Sequence, residues 1–177
     1  EGTDYGNVAD ITISAGDTTG TATFTPTDDS VYEGNETATI TMASVTGANA
    51  GSTTSQTITI TENDSTPVVT LATSASSIAE NAGSSLTLTA TLSNATTEDV
   101  TVALSTSGTG TEGTDYSTIS DITISAGATT GTASFTPADD STYEGNETGI
   151  VAIDSVSGGS ANESGTPQSV TITITEN

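Results

Sequence analysis

The chain has 177 residues, 23 of them Asp or Glu, with no Lys, Arg, His, Cys or Trp, and a formal net charge of −23. That inventory leaves no cation for nucleic-acid phosphate, no disulfide or thiolate metal site, and none of the His, Cys or Lys groups behind most general-base and much nucleophilic chemistry. Its self-repulsion has no internal counter-ion, so positive charge has to come from outside the chain.

In chain order, residues 1–64 open on EGTDY (Glu1–Tyr5), carry the acidic run DDSVYEGNE (Asp28–Glu36) and close on TITITEN (Thr57–Asn63). All three return, at Glu112–Tyr116, Asp139–Glu147 and Thr171–Asn177. The offset is 111 residues through Asp10/Asp121, Phe24/Phe135, Pro26/Pro137 and Tyr32/Tyr143, then 114 at the closing segment. Three residues are therefore inserted near Asn162–Pro167, where a loop is expected. A period of this length is that of a whole domain, longer than a solenoid repeat.

Residues 65–67, in a stretch containing Ser65 and Pro67, read as a linker, and 68–177 as one complete unit. Residues 1–64 match only its later part and lack counterparts of Val68–Thr111, a segment expected to hold three strands. Strands follow from period-two alternation with Thr and Ser: Leu86, Leu88, Ala90 and Leu92, then Val100, Val102 and Leu104. Ile122 and Ile124, Ala133 and Phe135, Val151 and Ile153, and Ile172 and Ile174 continue it. Turn residues recur about every 8–12 positions and no amphipathic helix is found, which predicts an all-β, seven-stranded antiparallel sandwich plus part of a second. Tyr5, Tyr32, Tyr116, Tyr143, Phe24 and Phe135 are expected in the core or at its corners.

The acid runs carry the chemistry. Asp139 and Asp140 are expected to finish one strand and Glu144 and Glu147 to open the next, so a short turn gathers four carboxylates at one end. Four anions within about 5 Å repel by several kcal/mol per pair at an effective dielectric near 20. Calcium takes six to eight oxygens at about 2.3–2.6 Å, mostly from carboxylates and carbonyls, and would reverse that sign, coupling metal binding to folding. EF-hand loops and glycine-rich nonapeptide arrays are absent.

SIAENAG (Ser77–Gly83), GTDY (Gly113–Tyr116), DDSTYEGNE and TITITEN, in that order, resemble a Calx-beta domain. The resemblance covers 68–177, and 1–64 resembles the later part of a second copy. It implies an immunoglobulin-like Greek-key sandwich, of a kind that in some members binds several calcium ions in loops at one end. Matched position by position, the implied ligands in 68–177 are Glu80, Asp115, Asp139, Asp140, Glu144, Glu147 and Glu176, with Asn177 in the same closing segment. In 1–64 they are Asp4, Asp28, Asp29, Glu33, Glu36, Glu62 and Asp64, with no counterpart of Glu80. Asp10, Asp17, Asp121, Asp154, Glu98 and Asp99 read as surface charge.

Function is expected to be non-catalytic, because paired carboxylates alone could suit glycoside hydrolysis but the aromatic platforms that hold sugar are missing. The leading expectation is a calcium-rigidified tandem module of a secreted or cell-surface protein, a stalk, matrix element or fibre. One alternative is a filament protomer whose incomplete sandwich is completed by a neighbour's strands; another is a calcium sensor. Expected partners are neighbouring copies of the repeat, with no nucleic acid and no membrane insertion. Glycans could sit on the abundant Thr or on the sequons at Asn35, Asn63, Asn94, Asn146 and Asn162.

Overall fold

The computed structural model describes residues 4–166 and 168–176, so Glu1–Thr3 of the first EGTDY, Pro167 of the expected loop and Asn177 lie outside the described residues. The chain divides into two compact units, Glu1–Asn63 and Asp64–Asn177. The first holds β1 (Val31–Tyr32), β2 (Glu36–Thr41) and β3 (Ser55–Ile60). The second holds β4 (Val68–Thr73), β5 (Ser77–Ala79), β6 (Leu86–Leu92), β7 (Ala95–Thr96), β8 (Val100–Gly108), β9 (Ile122–Ile124), β10 (Thr130–Phe135), β11 (Glu147–Ser157), β12 (Asn162–Glu163) and β13 (Ser169–Thr175). Among the described residues there is no helix, and so none long and apolar enough to cross a membrane.

In the second unit β10-β6-β4-β12 form one sheet and β5-β13-β11-β8-β9 the other. The alternation in sequence becomes alternation in burial. Leu88, Ala90 and Leu92 point inward along β6, and Val100 and Val102 along β8, meeting Ile122, Ile124, Val151 and Ile172. Each fully buried Val, Leu or Ile is worth about 1.5–3 kcal/mol relative to exposure, so this lean core still drives collapse. Tyr116 and Phe135 stack within it, ring centroids 4.6 Å apart. β11 carries a register irregularity against β8 between Ile153 and Ser155.

Three details differ from the sequence reading. The two sheets hold nine strands, seven of them joined by antiparallel pairing, plus short β5 and β12, which pair in parallel with β13 and β4. Strands of two or three residues are too short to leave a periodic signal, so Val68–Thr111 holds five strands where three were expected. For the same reason part of the inserted segment is strand: Asn162 and Glu163 lie beside Val68 and Val69.

In the first unit β2 and β3 pair antiparallel, Glu36 opposite Ile60, in the register that β11 and β13 use for Glu147 and Ile174. Tyr5 packs on Phe24 at 4.8 Å, as Tyr116 does on Phe135. Tyr5 also bridges Pro26, as Tyr116 bridges Pro137.

Candidate metal centre

Sheet register delivers the acids of the second unit to one end. β5 runs parallel to β13 with Ala79 beside Thr175, which sets Glu80 next to Glu176. β11 starts at Glu147, opposite Ile174. Asp115 sits one residue before the buried Tyr116, and its backbone carbonyl accepts the Ala138 N–H at 2.9 Å, tying it to the acidic loop. Carboxylate oxygens of Asp115, Glu144 and Glu147 all lie within 4.8 Å of one another. Glu80 and Glu176 line the same pocket, with Ala138, Gly145 and Ile174 as its neutral walls.

Backbone donors hold these carboxylates in place. Glu176 accepts the N–H groups of Glu144 (2.9 Å) and Gly145 (3.0 Å), and donates its own N–H to the Asn146 Oδ1 at 3.1 Å. Glu80 accepts the Asp140 N–H at 3.0 Å, and Asp115 the Thr111 N–H at 2.6 Å. Gly145 sits at φ 79°, the left-handed region that glycine adopts without strain, which lets the turn aim consecutive N–H groups at one carboxylate.

The first unit repeats this wiring. Asp4, Glu33 and Glu36 form the equivalent triad, again within 4.8 Å. Glu62 accepts from Glu33 (2.6 Å) and Gly34 (2.7 Å), and its N–H goes to the Asn35 Oδ1 at 2.9 Å. Gly34 has φ 77°.

Not every implied ligand joins a triad. Asp139 and Asp140 lie in the loop after β10, which ends at Phe135, so they do not finish a strand; Glu147 does open one, but Glu144 stays in the turn. Asp139 is exposed and outside the pocket lining. The Asp140 carboxylate accepts the Thr142 N–H, as that of Asp29 accepts the Val31 N–H at 2.8 Å. Asp28 accepts the Asn63 side-chain amide at 2.8 Å, and Asp64 is half-buried outside the first triad.

The electrostatics are those of crowded like charges. Desolvation raises the Glu144 carboxyl above its ordinary pKa, and the charges of Asp115, Asp140, Glu80 and Glu176 add to it. Glu147 is raised first by desolvation, then by Asp115 and Glu144. Glu33 is raised by desolvation, then by Glu36, Asp29, Asp4 and Glu62. The donor set is oxygen alone, which suits a hard cation and disfavours zinc or copper. Two oxygens bound to one calcium at about 2.4 Å lie up to about 4.8 Å apart, and the triad oxygens fall within that limit.

Several roles escaped the sequence reading. Glu112, the Glu of EGTDY, is a structural acceptor: it takes the Thr106 hydroxyl at 2.6 Å and the Ile119 N–H at 2.7 Å. Asn35 and Asn146, noticed only as sequons, pin the closing acidic segment. Asp121, Glu98 and Asp99, read as surface charge, accept backbone N–H groups from Leu104, Gly159 and Ala126. Tyr143 is not a core aromatic; it is 83% exposed, because the turn that carries it stands clear of both sheets. Replacing Glu112 with Ala is expected to destabilise the second unit by about 1 kcal/mol, the cost of losing two hydrogen bonds to half-buried donors. Urea midpoints should fall equally in calcium and in chelator; a loss confined to calcium would make Glu112 a ligand instead.

Comparison with known proteins agrees with this architecture. A family model described as Calx-beta domain matches residues 1–64 and 62–177. Among solved structures, the apo-form Calx CBD1 domain is similar at 17% sequence identity, covering 62% of this chain and 98% of that one with a TM-score of 0.51, a likeness of fold. Comparison with curated proteins finds no match.

Proposed function

The chain belongs to the Calx-beta domain family, and we propose that it is a non-catalytic, calcium-binding structural module of a secreted or cell-surface protein. The observation that carries this reading is the doubled triad. Asp4/Glu33/Glu36 and Asp115/Glu144/Glu147 recur with the same backbone donors on Glu62 and Glu176. In each unit three carboxylates converge with no cationic side chain to balance them, an arrangement that an oxygen-binding cation would stabilise.

Asp115, Glu144 and Glu147 would hold the ion in the second unit, with Glu80 and Glu176 beside them. Calcium would supply only positive charge and coordination there. The work of the chain is to hold carboxylates converged against their repulsion, so that the ion locks the β10–β11 turn onto β5 and β13. A locked loop end suits a stiff spacer, and an extracellular setting, where calcium is millimolar, would load even a weak site.

Titration of calcium into the full chain by calorimetry tests this. Saturation with Kd on the order of 10⁻⁴–10⁻³ M supports a structural module of an extracellular protein, whereas about 10⁻⁷–10⁻⁵ M would mark a sensor. Absence of any binding heat, with no calcium-dependent change in stability, would overturn the metal reading.

A further inference from the structure

The turn before β11 and the segment after β13 hold each other. The Asn146 Oδ1 accepts the Glu176 N–H at 3.1 Å, while the Glu176 Oε2 accepts the N–H groups of Glu144 at 2.9 Å and Gly145 at 3.0 Å. The first unit closes the same circuit. The Asn35 Oδ1 accepts the Glu62 N–H at 2.9 Å, and the Glu62 Oε2 accepts those of Glu33 at 2.6 Å and Gly34 at 2.7 Å. The other oxygen of Glu62 accepts the Asn63 N–H at 2.9 Å. Bonds from a backbone N–H to a carboxylate are roughly twice as strong as neutral ones, so each circuit works as a clasp on its turn.

The carboxylates of a triad are not equally anchored. Glu147 opens β11 opposite Ile174, and Asp115 adjoins the buried Tyr116. Glu144 has neither support. It is exposed in the turn, and the charges of Asp115, Asp140, Glu80 and Glu176 press on it. Repulsion drives it toward solvent; the clasp on its own N–H opposes that drift. Glu33 holds the same place ahead of β2, which opens at Glu36.

We propose that Asn146 and Asn35 are positioning residues of the two metal centres. Each orients its closing Glu, which in turn fixes the backbone carrying Glu144 or Glu33, so the triad is set before an ion arrives. This rests on the calcium reading above and adds to it the pair of neutral residues that governs affinity. An Asn suits the task, because its amide oxygen accepts the bond without adding an anion where no cationic side chain exists to balance one. Outer-shell hydrogen-bond partners of this kind typically change metal affinity about 10–100-fold when mutated.

Two measurements on the full chain test this. Amide exchange in chelator reads the clasp without any ion. The amides of Glu33, Gly34, Glu144 and Gly145 are expected to be protected in the parent and to exchange at least about tenfold faster in Asn35→Ala/Asn146→Ala, with β6 and β8 unchanged. Calcium titration of that variant by calorimetry is expected to give a Kd about tenfold or more above the parent's. The variant Asn35→Asp/Asn146→Asp keeps the acceptor oxygen and should restore both slow exchange and binding. Equal affinity in the parent and the Ala variant would overturn the proposal, as would fast exchange of those four amides in the parent. So would tight binding by the Asp variant with its turn amides still fast, since charge and not position would then set affinity. Faster exchange in β6 and β8 of the Ala variant would make the two Asn residues general stabilisers and overturn it too. A parent that binds no calcium would instead defeat the metal reading itself, and the positioning role with it.

Discussion

Removal of calcium by a chelator is expected to lower the melting temperature of the chain by about 10 °C or more. A ligand at a hundredfold its Kd stabilises by about 2.7 kcal/mol per site, and each kcal/mol moves the midpoint of a 60–100-residue domain by roughly 4–8 °C. The direction follows from Asp115, Glu144 and Glu147, whose oxygens stand within 4.8 Å with no cationic side chain anywhere in the sequence. Without the ion the fold has to hold those charges together; with it, the same convergence is coordination.

The variant Glu144→Gln/Glu147→Gln makes the test sharp. Neutral amides coordinate more weakly and do not repel, so the variant should melt below the parent in calcium and at or above it in chelator. Glu33→Gln/Glu36→Gln asks the same of the first unit. A parent insensitive to chelator would sink the metal reading. Variants that track the parent in both conditions would move the ligands elsewhere. Loss of stability in both conditions alike would make these acids structural acceptors, as Glu112 is.

The strands of the second unit were legible because their side chains alternate between two environments. Leu88, Ala90 and Leu92 could not be read as anything but one buried face, and the same holds for Val100 and Val102. Short β5 and β12 were not legible, since two or three residues make no period; their existence depends on β13 and β4 being in place. The clearest limit is the tripeptide shared by residues 11–13 and 122–124. One sequence gives β9 in one copy and an unpaired stretch in the other, so strand here is decided by the partner across the sheet.

The acids divide in the same way. That Asp115, Glu144 and Glu147 converge was readable from the doubled runs and the family resemblance. That Glu176 is the acceptor for two consecutive N–H groups, and Asn146 the residue that ties it down, depends on where β13 ends relative to the turn before β11. Asp139 is placed differently from the triad. It shares the run with Glu144 and Glu147, but its neighbour Asp140 caps the loop and Asp139 faces solvent.

Acidification from pH 7 to about 5 should move the metal-free and calcium-loaded forms in opposite directions. In the metal-free chain Glu33, Glu144 and Glu147 have carboxyls raised above the ordinary value by desolvation and by their acidic neighbours. A group whose folded pKa exceeds its unfolded one contributes stability that is complete below the unfolded pKa and disappears as pH rises through the folded pKa. Lowering the pH from neutrality therefore restores that contribution, and the metal-free midpoint rises. In the loaded form the ion favours the charged carboxylates and holds them below their unfolded value. Their contribution is present above the ordinary carboxylate range and is lost on acidification, as protons displace calcium. Melting curves taken in calcium and in chelator should thus converge as pH falls toward the carboxylate range, and in Glu144→Gln/Glu147→Gln the part of that convergence owed to the second unit should be gone. Parallel pH profiles in the two conditions would show that these three acids neither repel one another in the metal-free fold nor share an ion.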